Sequence, residues 1–272
     1  MGYVEGENLV IETFSAEGRF ERYADVAHQA VSRNPDAIIA GNNLLVHALR
    51  SATGTIPIVA AMEDPLNSGL VTSLARRPGD NLTGVAFDAG FEIWGKRLEI
   101  LKQAVPSTSK VGILGTLLGP ANQLQLLQEA GAALGVSLIE MTLTEATASE
   151  IEHSFAALAE QRADAVLISS GRGLAGQSQL IVRLAERYRL PAMYEAPIFA
   201  EAGGLMTYAP DVADLGRQLA DDVQRIVDGT KPGDIPIYQA AKFALVINLK
   251  TADALGLTFP RSLLLLADEV IE

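Results

Sequence analysis

Residues 165–195 read AVLISSGRGLAGQSQLIVRLAERYRLPAMYE, and this stretch decides the fold class. The apolar run 165–170 predicts a buried strand, residues 178–188 have the apolar spacing of a helix, and residues 191–194 predict the next strand. Two strands joined by a helix pair in parallel, and helices cover both faces of a parallel sheet. The stretch therefore predicts an α/β fold.

The same alternation of strands and helices extends outward from this stretch through almost the whole chain. Further strands are predicted at residues 8–14, 37–40, 56–61, 82–87, 110–115, 137–143, 205–209 and 243–248. Further helices are predicted at residues 20–31, 44–51, 66–75, 94–105, 121–134, 150–160 and 212–226, with two short ones near Thr251 and Ser262. So many units exceed one sheet, so we expect two lobes with parallel, Rossmann-like sheets and ligand chemistry at the carboxyl ends of the strands.

Composition excludes several classes of protein. The 272 residues are 49% hydrophobic and 20% charged, which is typical of a globular chain with its own core. The net charge of −12 makes the chain a poor non-specific binder of nucleic acid or anionic lipid. The absence of cysteine excludes disulfides and thiolate nucleophiles, and no apolar run is long enough to span a bilayer. The first residues lack the basic start and apolar stretch of a signal peptide.

A glycine-rich motif follows the strand at residues 165–170. Gly171, Gly173 and Gly176 form a G-x-G-x-x-G pattern that opens a helix, and the next strand is followed by Glu195, where a dinucleotide fold places its ribose-binding acid. An ordinary strand-to-helix loop also needs glycine. We favour the ordinary loop and keep a nucleotide-dependent α/β enzyme that uses Gly171–Gly176 as the alternative.

Other catalytic and metal motifs are absent from the sequence. There is neither a nucleophile elbow nor a phosphate-binding loop of the P-loop type. His28, His47 and His153 lie in separate predicted helices, and none has the i, i+4 partner of a zinc helix. We therefore predict no metal and no cofactor, and the absence of a nucleophile with its own base favours a binding protein over an enzyme.

Polar residues follow several of the predicted strands. Asn42 and Asn43 come between a strand and a helix, where they suit either a bound carboxylate or a simple helix N-cap. Glu63 and Asp64 follow the next strand and suit either a cationic group or the N-terminus of the following helix. In the second half, hydroxyls at 169 and 170 and the pair at 194 and 195 end neighbouring strands and offer a ring, an acid and hydroxyls.

Several stretches together resemble one family. They are GYVEGENLVIE at residues 2–12, IPIV at 56–59, GLVTSLA at 69–75, GKRLE at 95–99, EAGGLMTY at 201–208, FALVINLKT at 243–251 and ADEVIE at 267–272. The chain resembles the bacterial ABC-transporter substrate-binding proteins of the tryptophan/tyrosine type over essentially its whole length. That family implies the type I periplasmic-binding fold, in which two α/β lobes joined by three crossing segments close on a ligand.

The resemblance also implies the lobe boundaries and the ligand residues. Crossings near Phe87, Tyr208 and Lys242 put residues 1–87 and 209–242 in lobe 1, and residues 88–208 and 243–272 in lobe 2. Asn42 and Asn43 would take an α-carboxylate, and Glu195 would take an ammonium group. The full set of implied ligand residues is Asn42, Asn43, Met62, Glu63, Asp64, Leu118, Ser170, Tyr194 and Glu195.

The resemblance further implies that the first βα unit of lobe 1 is missing from this chain. The strands expected at residues 8–14 and 37–40 would then have unpaired edges, which are costly. We expect either that these two strands close up into a smaller sheet, or, as we favour, that two chains form a homodimer through lobe 1.

The function implied is that of the solute-binding component of an ABC importer. It would capture an amino-acid-like or small aromatic ligand in the cleft between the lobes, without catalysis, and deliver it to an ABC permease in the membrane. Its full-length form would be extracytoplasmic, either periplasmic or lipid-anchored. A ligand-sensing module of similar fold is disfavoured because no DNA-binding segment is present, and nucleic acid is not an expected partner.

Overall fold

The computed structural model describes residues 2–17, 19–77, 79–87, 92–115, 121–169 and 173–272. The chain divides into two compact units. The first unit consists of Met1–Ala89 and Asp211–Lys242, and the second of Gly90–Pro210 and Phe243–Glu272. Each unit has its own sheet and its own buried apolar core.

The elements are numbered along the chain. The strands are β1 (Ile38–Ala40), β2 (Ile58–Met62), β3 (Leu82–Ala86), β4 (Lys110–Gly115), β5 (Ser137–Thr142), β6 (Ala165–Ile168), β7 (Ala192–Tyr194), β8 (Met206–Pro210), β9 (Tyr238–Gln239), β10 (Phe243–Asn248) and β11 (Glu269–Ile271). The α-helices are α1 (Tyr23–Ser32), α2 (Asn43–Ala52), α3 (Glu92–Ala104), α4 (Ala121–Ala133), α5 (Ala148–Glu160), α6 (Ser178–Arg187), α7 (Pro197–Glu201), α8 (Val212–Val227), α9 (Leu249–Leu255) and α10 (Arg261–Leu264).

The sheet of the first unit has the order β1-β2-β3-β9, and all of its pairs are parallel. Side chains alternate between the two faces of β2. Ile58, Ala60 and Met62 pack into the core that α1 and α2 supply, while Val59 packs against Ile226 of α8. Helices therefore cover the two faces of the central strands, as a parallel sheet requires.

The sheet of the second unit has the order β11-β10-β8-β7-β6-β4-β5. All pairs are parallel except β8 with β10. One face packs against α3 through Leu98 and Leu101, and the other against α5 through Phe155 and Leu158. Because the parallel strands point the same way, the carboxyl ends of β4, β6 and β7 lie at one edge of the sheet.

The strand expected at residues 8–14 is wrong. These residues are not in a strand, and Leu9 makes only an isolated bridge to Glu5. Val10 and Ile11 are 83% and 58% exposed, because the apolar alternation of this segment has no sheet face to pack on. The expected closing of residues 8–14 onto 37–40 is also wrong, since within the described residues β1 pairs only with β2.

The helix expected at residues 66–75 is also wrong, because the segment forms turns. Gly69 adopts φ +72°, which a right-handed helix cannot contain. Arginine side chains take over carbonyls that helical N–H groups would otherwise bind. Arg77 Nη1 donates to the carbonyls of Ser73 and Ala75, at 2.9 Å each, and Arg50 donates to that of Leu70.

No helix within the described part of the chain has both the length and the apolar character needed to cross a bilayer. The three histidines lie on exposed helix surfaces, His28 in α1, His47 in α2 and His153 in α5. Among the described residues, no three histidine, aspartate or glutamate side chains are grouped so that they could hold a metal ion.

Candidate functional site

In the first unit, Asn42 precedes helix α2 and follows β1 after one intervening residue. Its Oδ1 accepts the backbone N–H of Leu45 at 2.9 Å, and its Nδ2 donates to the hydroxyl of Tyr23 at 3.2 Å. The side chain therefore serves as a helix N-cap, which satisfies one of the unpaired N–H groups of the first turn. The rest of that turn carries the positive end of the helix dipole, which favours an anion.

Asn43 connects the loops after β1 and β2. Its Nδ2 donates to the carbonyl of Glu63, and its Oδ1 accepts the N–H of Glu63 at 3.0 Å. One amide side chain thus binds both the N–H and the carbonyl of Glu63, as a neighbouring strand would, and fixes the main chain where β2 ends. The Glu63 side chain is exposed on this loop.

Met62 and Asp64 flank Glu63 and have structural contacts. Met62 is fully buried in the core of the first unit. Asp64 has φ +38°, and its carboxylate accepts the backbone N–H and the side-chain amide of Asn67 at 3.2 and 2.6 Å. Of the ligand residues predicted in the first unit, the structure therefore brings Asn43 and Glu63 together, and it places the Met62 side chain in the core.

In the second unit, Glu195 follows β7 and belongs to a buried polar network. Its Oε1 accepts the Ser169 hydroxyl at 3.1 Å, and its Oε2 accepts Nη1 of Arg97 at 3.2 Å. The side chains of Arg97 and Glu195 are 5% and 10% exposed. A charge pair this deeply buried is strong only when both groups are well hydrogen-bonded.

Arg97 is the functional candidate that the sequence reasoning missed. Its Nε donates to the carbonyl of Tyr208 at 2.9 Å, and its guanidinium lies 5.5 Å from the ring centre of Trp94. Arg97 follows Trp94 by three residues and precedes Leu98, so it lies on the apolar stripe of α3. A charged residue on a buried helical stripe signals a buried partner, and the partner here is Glu195.

Tyr194 lies in the core, on the helix side of β7. The residue is 1% exposed, and its ring stacks on Phe199 with centroids 4.8 Å apart. Burial raises the pKa of its phenol, with the Glu186 charge adding to the rise. A Cβ on Gly204 would lie 2.7 Å from the Tyr194 ring, so glycine at this position leaves room for the ring.

Three of the predictions fall wholly or partly on residues outside the described ranges. Leu118 and Ser170 lie there, as do the first two residues of the Gly171–Gly176 motif. The described part of that motif starts at Gly173 with φ +81° and continues into a short 3-10 helix, Ala175–Gln177, before α6 begins.

Helix α8 of the first unit carries two further buried carboxylates, Asp214 and Asp222. Asp214 accepts Nζ of Lys242 at 2.9 Å and the hydroxyl of Tyr238 at 3.0 Å, and these bonds lower its pKa. Asp222 Oδ2 is buried and accepts no hydrogen bond from the described residues, and Arg225 is 4.0 Å from its other oxygen. Burial raises the pKa of Asp222 to about 6.

Residues 1–271 match the family described as "ABC transporter substrate binding protein". The chain belongs to this family. The two α/β units and their mainly parallel sheets are those of the type I periplasmic-binding fold, and the nucleotide-enzyme alternative is not favoured. Substrate-binding proteins of ABC transporters work outside the cytoplasm.

Relatives of this substrate-binding protein cover nearly the whole chain. A conserved domain protein of Vibrio cholerae is 29% identical, with a TM-score of 0.86 over 99% of this chain and 90% of that one. An ABC domain from Streptococcus pneumoniae in complex with L-Trp is 24% identical, with a TM-score of 0.86 over 98% and 89%. The tyrosine-binding protein of Clostridioides difficile is 24% identical over 94% of this chain and 73% of its own length.

Proposed function

We propose that this substrate-binding protein captures an amino acid, most readily an aromatic one, for an ABC importer. The observation that carries the proposal is the Glu195 carboxylate at the end of β7, which Arg97 and Ser169 hold in place. Relatives whose names specify tyrosine and L-Trp as ligands support the ligand class. In this proposal Glu195 accepts the ligand's ammonium group.

The ligand's carboxylate is assigned to the loop after β1. The first turn of α2 offers backbone N–H groups and the positive end of the helix dipole, and Asn42 and Asn43 set the course of the chain there. Glu63 and Asp64 lie alongside. Leu118 and Ser170 remain proposed ligand contacts, whereas the buried side chains of Tyr194 and Met62 contribute by packing behind the strand ends.

Titration calorimetry against the standard amino acids, 3-(4-hydroxyphenyl)propionate and NAD tests this proposal. We expect saturable binding of L-tyrosine or L-tryptophan and none of NAD. Glu195→Gln should weaken amino-acid binding by about 1.5–3 kcal/mol, the scale of a hydrogen bond to a charged group. Glu186→Gln is the matched control, because Glu186 is exposed in the same unit and should bind as the wild type does.

Two results would contradict the proposal. Binding of NAD in the absence of amino-acid binding would favour a nucleotide-dependent enzyme. Unchanged amino-acid affinity in Glu195→Gln would remove Glu195 from the ligand contacts.

We further propose that the ligand is passed to an ABC permease and that the mature protein is periplasmic or lipid-anchored. Family membership supports the permease as partner. In this proposal the two compact units act as the two lobes of the binding protein, Met1–Ala89 with Asp211–Lys242 as lobe 1 and Gly90–Pro210 with Phe243–Glu272 as lobe 2. Amino-acid uptake by cells that express the matching permease should be measured with and without this protein. We expect uptake only when the protein is present.

We also propose a homodimer through the first unit. The side of β1 away from β2 has no strand partner within the described residues, and Ile39 on this strand is 61% exposed. Val10 and Ile11 are exposed in a segment that is not in a sheet. Among the described residues, each copy thus has a strand edge without a partner and an exposed apolar segment. In a two-fold dimer, the segment of each copy would pack on the β1 edge of the other.

Light scattering over a range of protein concentrations tests the dimer. Ile39→Lys should shift the protein to monomer because it places a charge on the edge strand. Val212→Lys is the matched control, since Val212 is 63% exposed elsewhere in the same unit. A wild type that stays monomeric at high micromolar concentration would exclude the dimer.

A further inference from the structure

We infer that Arg97 is a positioning residue for ligand recognition: it fixes the Glu195 carboxylate so that the ligand's ammonium group finds it in one orientation. This inference rests on the proposed function. It adds a residue outside the strand-end loops, on helix α3, to those that set the affinity for amino acids.

The geometry of the carboxylate carries the inference. Ser169 donates to Oε1 and Arg97 to Oε2, so among the described contacts both oxygens of Glu195 are held by protein donors. A carboxylate oxygen can accept two hydrogen bonds, so a protein donor and a ligand donor can share one oxygen. With both oxygens held from the protein side, the orientation of the carboxylate is fixed before a ligand arrives, which lowers the entropic cost of binding.

Arg97 is itself held from more than one direction. Its Nε donates to the Tyr208 carbonyl on β8, its Nη1 to Glu195 beyond β7, and its plane lies near the Trp94 ring. A rigid planar fork can bridge two strands in this way, and a flexible ammonium cannot do so with the same geometry. The guanidinium also balances the carboxylate charge, so the empty site does not bury a lone negative charge.

The pairing makes Arg97 act through Glu195. Among the described contacts, the groups that face the Glu195 carboxylate are Arg97 from α3 and Ser169 at the end of β6. Loss of Arg97 should therefore matter for ligands that use Glu195 and not for ligands that do not. This selectivity separates a positioning role from a general effect on folding.

A double-mutant cycle with L-tyrosine, measured by calorimetry, tests the inference. Arg97→Met should weaken binding about tenfold in the wild-type background and by less than about threefold in the Glu195→Gln background. Arg97→Lys, which keeps the charge but loses the planar fork, should weaken binding almost as much as Arg97→Met does. Binding of 3-(4-hydroxyphenyl)propionate, which has no ammonium group, should be the same with and without Arg97.

The circular dichroism spectrum of each variant shows whether it folds, and Arg97→Gln replaces Arg97→Met in the cycle if the methionine variant does not. Equal losses in the two backgrounds, or no loss in either, would overturn the role of Arg97. That result would leave the proposed function intact if Glu195→Gln still binds the amino acid more weakly than the wild type does. A wild type that binds no amino acid would instead overturn the proposed function, and the role of Arg97 with it.

Discussion

Glu195 in the second unit and Asp222 in the first are both carboxylates with side chains at most 10% exposed, but their surroundings differ. Arg97 and Ser169 each give Glu195 a hydrogen bond. Asp222 has an Oδ2 without a hydrogen bond from the described residues, and its basic neighbour is 4.0 Å away. Burial alone therefore does not identify a site, and the supporting donors are what distinguish these two carboxylates.

The difference follows from where each residue lies. Glu195 comes directly after a parallel strand, at the edge of the sheet where neighbouring loops converge. Asp222 lies on α8, the helix that packs over β2 and β3 through Ile226 and Val59. A helix face against a sheet offers few donors, so the carboxylate there is desolvated without compensation.

The largest effect is expected where the pair is broken. Arg97→Met should lower the free energy of unfolding by about 3–5 kcal/mol, because it leaves the Glu195 charge buried without its partner. The double variant Arg97→Met with Glu195→Gln should recover part of that loss. Urea unfolding followed by circular dichroism measures both, and a loss below about 1 kcal/mol would mean that the network behaves like a surface pair.

Substitution of Asp222 is expected to stabilise the protein at neutral pH, whereas Arg97→Met destabilises it. Because its pKa is raised from 3.8 to about 6, the folded protein binds a proton there more tightly than the unfolded chain does. The free energy of unfolding should therefore fall as the pH rises from about 4 to about 6, and the loss is complete above that range. Asp222→Asn should remove this pH dependence and raise the unfolding free energy at pH 7 by about 1–3 kcal/mol.

Asp214→Asn is the matched control on the same helix. Its lowered pKa contributes stability that is present at neutral pH and is lost as the pH falls through the acid range. Asp214→Asn should therefore destabilise the protein at pH 7, because Lys242 and Tyr238 lose a charged acceptor. Identical responses of the two variants would contradict the contrast between paired and unpaired carboxylates.

The smallest effects on stability are expected at Asn43 and Asn42. Asn43→Ala removes two hydrogen bonds to the main chain of Glu63 and should cost about 1–2 kcal/mol. Hydrogen exchange of the Glu63 amide should speed up, since its acceptor is gone. Asn42→Ala, which removes the N-cap of α2, should cost about 1 kcal/mol and leave the Glu63 amide unchanged.

The sequence predicted most of the fold because buried parallel strands and amphipathic helices leave clear apolar periods. The prediction for β4 agrees with the structure at both ends, and that for α6 overruns it by one residue. The failures at residues 8–14 and 66–75 have tertiary causes. The first has no sheet face to pack on, and in the second the side chains of Arg50 and Arg77 bind the carbonyls.

The site was less predictable than the fold. Periodicity shows that Tyr194 ends a strand, but it does not show which face the ring takes, and the ring takes the helix side with Phe199. The pairing of Arg97 with Glu195 joins residues that are distant in sequence, so spacing could not reveal it. What the sequence did carry was the presence of arginine on the apolar stripe of α3.

The position of Trp94 gives the molecule a built-in optical reporter. It is the one tryptophan of the chain, and its ring lies beside the guanidinium that binds Glu195. Fluorescence excited at the red edge of the absorption band therefore comes from a single indole next to the proposed ammonium site. L-Tyrosine does not fluoresce at that excitation, so a titration with it would report ligand binding in the second unit without a label. Circular dichroism would follow both units.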